Sequence, residues 1–262
     1  MNTPTNPSFA ADLTNKVCLV TGGTRGIGRA IAKMLLTEGA MVAICGREQE
    51  PVDAAVRELA AETSGKVAGK AADVKSHEQV GDLFRFVDVR FGGLDVLINN
   101  AGVGVFGAVA DLTLEDWKSA IDTNLSGAFY CSREALFRFV TRGGGYIVNI
   151  NSLAGANAFA GGSAYNASKF GLTGFTEAMM QDVRSENVRV STVMPGSVAT
   201  GFGRQNDGGS DDLDWKIWPE DVAEVVKMLL KMPMRTLVSR VEVRPAKTKS
   251  GAAKAQKIMP KR

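Results

Sequence analysis

The sequence predicts a doubly wound α/β fold, with a seven-stranded, mainly parallel sheet and helices on both faces. Three observations carry that expectation. A β-rich run from Val17 to Thr21 leads through a glycine turn into a segment of helical periodicity. Leu94 to Ile98 is a continuous apolar stretch, the pattern of a parallel strand covered on both faces. Further short apolar runs alternate with amphipathic stretches as far as Val243, and no Pro/Ser-rich linker or charge run divides them.

The first turn reads Thr21-Gly22-Gly23-Thr24-Arg25-Gly26-Ile27-Gly28. Ile27, Ala30, Ile31, Met34 and Leu35 then recur at helical spacing, and Gly39 stops the helix. Strand, glycine turn and helix in this order are the context a dinucleotide site requires, because glycines let backbone approach a pyrophosphate and the helix N-terminus offers free N–H groups. Met41 to Cys45 predicts the second strand. An acid for a ribose 2′-hydroxyl is expected about 20 residues beyond the glycines, where Gly46 and then Arg47 stand instead. Arg25 and Arg47 together suit a 2′-phosphate, so NADP is the expected cofactor; either arginine alone would pass as a surface charge.

Pro51 to Ala61 and His77 to Phe91 predict helices, the second with Ser76 as N-cap and Val80, Leu83, Phe84 and Val87 on one face. His77, the only histidine, falls in a polar first turn and is expected at the surface. Asp73-Val74 closes the third strand, where an ordinary loop aspartate would look the same. The strand at Leu94 to Ile98 ends in Asn99-Asn100-Ala101-Gly102, small and amide residues where open sheets bind ligands. Thr113 predicts a helix start with Asp116 as its capping partner. Trp117, Ala120 and Ile121 are expected on its apolar face, with Asn124 on that face too, where a buried amide must find partners.

Tyr146 to Ile150 is a further apolar run, followed by Ser152. Tyr165-Asn166-Ala167-Ser168-Lys169 opens a helix that Phe170 to Met180 continues. Tyr165 and Lys169, four apart, share a face, and a nearby cation favours the anionic form of a phenol whose reference pKa is about 10. A half-exposed tyrosine and a solvated lysine would give the same spacing. Val188 to Met194 is the sixth strand, and Pro195-Gly196-Ser197-Val198-Ala199-Thr200 follows it as a turn. Gly201 to Asp214 is Gly/Asp-rich, fitting either a substrate lid or a plain surface loop. Pro219 starts an amphipathic helix, and Leu237 to Val243 supplies the seventh strand.

Ser152, Tyr165 and Lys169 with these flanks, the Gly22/Gly26/Gly28 turn and Asn99-Asn100-Ala101-Gly102 resemble the short-chain dehydrogenase/reductase family, over about Lys16 to Pro245. The resemblance implies a Rossmann-type oxidoreductase passing hydride between nicotinamide and a carbonyl or secondary alcohol. It implies that Tyr165 moves the oxygen's proton and Ser152 hydrogen-bonds that oxygen. Lys169 would hold the nicotinamide ribose and lower the Tyr165 pKa, and Asn124 would hold a water extending the proton relay. Cofactor contacts would come from Gly22, Thr24, Arg25, Gly26, Ile27, Gly28 and Arg47, with Asp73 and Val74 at the adenine and Asn100, Ala101 and Gly102 behind it. Pro195, Gly196, Val198 and Thr200 would lie at the nicotinamide. A 3-oxoacyl thioester reductase is the nearest named activity, with a small ketone, aldehyde or 3-hydroxy acid as the alternative substrate. A cofactor-sensing protein that kept only the fold is the reading from another class.

With 45% hydrophobic residues the 262-residue chain can bury a full core. Residues 1–14 read as a loose arm without the order of a signal peptide, 15–246 as one catalytic domain and 247–262 as a basic tail. The net charge of +3 arises in that tail: without its six basic residues, 25 remain against 28 acidic ones. No aromatic residue interleaves those lysines, so a nucleic acid partner is not expected; no run reaches a membrane span of roughly 20 residues. Cys18, Cys45 and Cys131, odd in number, read as reduced core residues of a cytoplasmic protein. The helices from Thr113 to Val140 and from Tyr165 to Val183 carry Leu125, Phe129, Leu136, Phe137, Phe139, Phe170, Phe175, Met179 and Met180, more than one sheet-facing stripe needs. The resemblance implies that such helices pair across a two-fold axis, as homodimer or homotetramer.

Overall fold

The structure, a computed structural model, describes residues 12–202 and 215–247. Most of the expected N-terminal arm, residues 203–214 of the expected lid, and the basic tail beyond Lys247 lie outside the described residues.

Seven strands form one sheet in the order β3-β2-β1-β4-β5-β6-β7. They are β1 (Val17–Val20), β2 (Met41–Gly46), β3 (Val67–Ala71), β4 (Val96–Asn99), β5 (Gly145–Ile150), β6 (Val188–Pro195) and β7 (Arg240–Val243). All six neighbouring pairs are parallel. Parallel strands need crossovers, and α1 (Gly26–Thr37), α2 (Gln49–Thr63), α3 (His77–Phe91), α4 (Leu114–Ile121), α5 (Gly127–Arg142), α6 (Ser163–Val183) and α7 (Pro219–Lys231) supply them. The chain winds outward from β1 to β3, then returns to place β4 on the other side of β1. That reversal opens a crevice beyond the carboxyl ends of β1 and β4, where ligands bind in such sheets.

Alternate strand residues feed two cores. Cys18, Val20, Val42 and Ile44 pack with Ile31 and Leu35 of α1, Val52 and Leu59 of α2, and Val226 and Leu229 of α7. Val17, Leu19 and Ala43 face the opposite way, onto Leu83 and Phe84 of α3, Ala135 and Phe139 of α5, and Met179 of α6. Cys18, Cys45 and Cys131 are free and buried. Phe139 and Met179 thus belong to the interior and not to a surplus outer face.

Two expectations about local structure are corrected. β3 stops at Ala71, so Asp73 and Val74 lie beyond the strand. The helix from Thr113 does open on the expected capping box with Asp116. However, it passes at Asp122–Ser126 through a π-helical turn into α5. A π turn breaks the 3.6-residue repeat beyond Ile121, but the residue that departs from the expected face, Trp117, lies before it in regular helix. Trp117 is 47% exposed, while Ala120 and Asn124 are buried.

Candidate active site

Ser152 stands two residues past β5, its backbone extended and its Oγ accepting the Ala154 N–H at 3.1 Å to start a short 3₁₀ turn. Helix α6 begins just before Tyr165, and both Tyr165 and Lys169 are buried one turn apart. The loop between Ser152 and α6 is clasped by Asn166. Its Nδ2 donates to the carbonyls of Ala154 (2.7 Å) and Asn157 (3.1 Å), and its Oδ1 accepts the Phe159 N–H at 3.3 Å. Ser152 and Tyr165 are thereby brought within hydrogen-bonding reach of one another.

The electrostatics differ from the sequence expectation. Burial pushes the Tyr165 phenol up, and the hydrogen bond from Ser152 partly offsets this. The Lys169 ammonium does not do so: it lies 5.8 Å from the Tyr165 ring centroid and donates to the Ile150 carbonyl at 3.2 Å. Burial draws its own pKa down to about 8. At neutral pH the site therefore holds a protonated phenol beside a largely protonated amine.

Asn124 is bound on three sides: its Oδ1 accepts the Val103 N–H at 2.8 Å, and its Nδ2 donates to the Val103 carbonyl and to Ser168 Oγ, both at 2.9 Å. It ties the π turn to the β4 loop and to α6, one residue from Lys169. Asn100 Nδ2 donates to the carbonyls of Thr21 (2.9 Å) and Gly22 (3.1 Å), fastening the glycine turn to the end of β4. Gly22 and Gly26 hold φ of +64° and +55°. A Cβ on Gly28 would lie 2.3 Å from the Gly22 carbonyl oxygen, so no side chain fits there. At Gly26 the turn faces Thr200, whose Cγ2 would be 3.3 Å from an added Cβ. Gly196 donates its N–H to Val243 at 2.7 Å, and Val198 bridges to Ile217, so the loop after β6 is pinned from both sides.

These pieces meet in a cleft of about 1700 Å³, larger than the roughly 300–1,000 Å³ of a site for one small ligand. Ser152, Tyr165 and Lys169 line it with Arg25, Gly26 and Ile27, with Asn100, Ala101 and Gly102, and with Pro195, Gly196, Val198 and Thr200. Arg47, Asp73 and Val74 are not on its wall. Arg47 is exposed just past β2; the Asp73 carboxylate is taken by the Lys75 N–H at 3.0 Å and the Lys75 ammonium at 3.4 Å; Val74 is buried. Gly22, Thr24 and Gly28 stand behind the turn they shape.

Sequence reasoning missed the aromatic lining of this cleft, Phe106, Phe159, Phe202, Trp215 and Trp218. Phe106, from the β4–α4 loop, meets Tyr165 edge-on with centroids 5.2 Å apart. Phe159, from the loop before α6, lies 6.1 Å from Phe106, and Phe202, after β6, lies 6.1 Å from Tyr165. No local pattern marks them, since their neighbours in space are far apart in sequence. Among the described residues no cluster of metal-ligating side chains accompanies them.

Known proteins resemble this chain over most of its length. The family model for short chain dehydrogenase matches residues 16–209. An uncharacterized oxidoreductase of Staphylococcus aureus (strain N315) is 33% identical over 234 residues, 89% of this chain and 98% of that protein. A metagenomic short-chain oxidoreductase crystallised with NADP is 35% identical, with a TM-score of 0.79 over 91% of this chain and all of its own. An alcohol dehydrogenase from the archaeon Thermococcus sibiricus, complexed with 5-hydroxy-NADP, is 29% identical, with a TM-score of 0.81 over 88% of this chain and 97% of its own. With a family model matched over residues 16–209 and a relative 33% identical across 89% of this sequence, the chain belongs to the short-chain dehydrogenase family.

Proposed function

We propose that the protein is an NADP(H)-dependent oxidoreductase that interconverts a carbonyl compound and its alcohol. The observation that carries this reading is the meeting of the Ser152 hydroxyl, Tyr165 phenol and Lys169 amine beside a glycine-shaped cradle. The cradle fits a dinucleotide: α1 opens without a side-chain cap and without an acid in its first turn, leaving N–H groups for a pyrophosphate. Arg25 and Arg47 are exposed, and among the described residues neither is ion-paired, which supports a 2′-phosphate and hence NADP. The NADP ligands of the two solved relatives favour the same choice. When bound, the nicotinamide supplies hydride chemistry.

The protein's part is position and proton transfer. Tyr165, held protonated by burial, gives its proton to the oxygen as the carbonyl carbon is reduced, and Ser152 donates a hydrogen bond to that oxygen. Lys169 orients the ribose, and Asn124 supports the strand of backbone and helix from which Tyr165 and Lys169 project. A 3-oxoacyl thioester, a small ketone or aldehyde and a 3-hydroxy acid all suit this chemistry. The buried, unpaired cysteines fit the cytoplasm, and no described helix is long and apolar enough to cross a membrane. The exposed Phe129, Phe137 and Phe170 support assembly as a homodimer or homotetramer.

The test is a screen of NADPH oxidation against a carbonyl panel, run beside cofactor titrations. NADPH should bind more tightly than NADH, and Arg47→Ala should erode that preference about tenfold, the worth of a charge-assisted contact. Equal affinity for the two cofactors refutes the NADP assignment. Tight cofactor binding without turnover in either direction would leave a cofactor-sensing protein.

A further inference from the structure

Two aromatic rings, Phe106 and Phe202, flank the Tyr165 ring and a third, Phe159, packs beside Phe106, each carried by a different loop. Phe106 is half-buried, while Phe159 and Phe202 are 48% and 46% exposed. Leaving so much ring surface in water at the mouth of a cleft is unfavourable in proportion to its apolar area. The rings are also held in place. Phe106 and Phe202 both close on Gly104, where a Cβ would lie 2.8 Å from one ring and 2.9 Å from the other. Phe159 is fixed through its backbone N–H to Asn166 and through its ring against Gly162, which itself bridges to Gly107 beside Phe106.

The wall between the rings is small and uncharged. Ala158, Ala160 and Gly161 give it little height, and from Ser152 to Gly161 it carries no ionisable side chain. The result is a slot in which Phe106 and Phe202 stand beside the Tyr165 ring and Phe159 stands beside Phe106. Aromatic rings pair best edge-to-face or offset, so a flat ring in the slot gains more than its buried area alone.

We propose that the site takes a carbonyl compound whose C=O is borne by a flat aromatic ring, an aryl ketone or aldehyde, and that Phe106, Phe159 and Phe202 set this preference. The inference rests on the reading of Ser152, Tyr165 and Lys169 as a carbonyl-reducing site. In the reaction the carbonyl carbon gains a hydride, two electrons and one proton's mass, from NADPH, and its oxygen gains the Tyr165 proton. The products are the aryl carbinol and NADP⁺, and the phenolate recovers its proton from solvent. A flexible acyl thioester would reach the same hydroxyl but leave the rings only partly covered.

The test compares propiophenone with its saturated-ring counterpart, cyclohexyl ethyl ketone, and with S-acetoacetyl-N-acetylcysteamine as a thioester probe, using the full chain and NADPH. Propiophenone should show a KM about tenfold below both. Phe106→Ala, Phe159→Ala and Phe202→Ala should each raise that KM about two- to tenfold, the range expected of one aromatic contact. The thioester KM should rise by a smaller factor than that of propiophenone in each variant. If the cyclohexyl ketone or the thioester is used as well as propiophenone, or the ring variants leave its KM unchanged, the aromatic preference is wrong while the reductase reading stands. If no carbonyl is reduced, saturation-transfer NMR of propiophenone on the NADPH-loaded chain decides the matter. A signal abolished by Phe159→Ala keeps the aromatic site and removes the reductase reading, and no signal removes the aromatic site as well.

Discussion

Tyr165 experiences two opposing influences, burial that keeps its proton and a Ser152 hydrogen bond that loosens it, and burial is the larger. A phenol in that state is prepared to donate toward a nascent alkoxide, a far stronger base. Tyr165→Phe keeps the ring packed against Phe106 and removes the exchangeable proton. Turnover should fall by about 10²–10⁴, the usual worth of general acid–base catalysis, with NADPH affinity and Tm near the parent values. A residual rate within a few-fold of the parent would rule out the proton role. Lys169 makes a separate, pH-dependent forecast. Its pKa is about 8 in the fold and about 10.4 in an unfolded chain. Between those values the unfolded state binds more protons, so the lysine's contribution to stability improves as pH rises and its burial cost is fully present below pH 8. Lys169→Met should therefore gain most in Tm over the parent near pH 7, with the gain shrinking toward pH 10. A difference in Tm that stays constant with pH contradicts this account.

At the scale of elements, the π turn at Asp122–Ser126 depends on Asn124 for its attachment to both neighbours. Asn124→Ala would leave the Val103 N–H and carbonyl and Ser168 Oγ without that partner. An unsatisfied buried group costs about 1–3 kcal/mol, and for a chain of this size each kcal/mol is worth about 2–4 °C in Tm. A fall of several degrees by differential scanning is expected, and a change under one degree would show that the turn is held elsewhere. The same region marks where the sequence ceased to be legible. Strands such as Leu19 and Ile98 announce themselves because both faces are buried, and α7 because its apolar residues keep one period. The capping box at Thr113 and Asp116 was readable for a similar reason, being a local hydrogen-bond exchange. The π turn has no residue signature, and the exposure of Trp117 depends on how α4 is rolled against its neighbours, which no local pattern records. The Ser152–Tyr165–Lys169 set was legible only through the resemblance of its motifs to a known family, since the spacing of Tyr165 and Lys169 fits a solvated surface pair equally well. Its electrostatics were not, because burial, a property of the whole fold, outweighs the neighbouring charge.

For the whole molecule, the outer faces of α5 and α6 carry three exposed rings that belong to neither core. Phe129, Phe137 and Phe170 are 45%, 57% and 45% exposed on α5 and α6, while Phe139 and Met179 beside them are buried. If that face pairs with a second copy, light scattering at micromolar concentration should give a dimer or tetramer mass. Phe137→Glu, a charge that pairing would have to desolvate, should then shift the mass toward monomer without loss of helical signal. A monomer mass for the parent protein would count against pairing on this face.

The rings of the cleft have a consequence for how this protein could change over time. Phe106, Phe159 and Phe202 stand on three loops that begin after β4, β5 and β6, and their side chains belong to neither core. Proton transfer is assigned to side chains on α6 and at the end of β5, which none of the three rings replaces. A substitution at any one ring alters the shape of the slot while both hydrophobic cores and the glycine cradle keep their own residues. Selection can therefore explore new substrates one loop at a time, each step a substitution outside both cores that hold the sheet together.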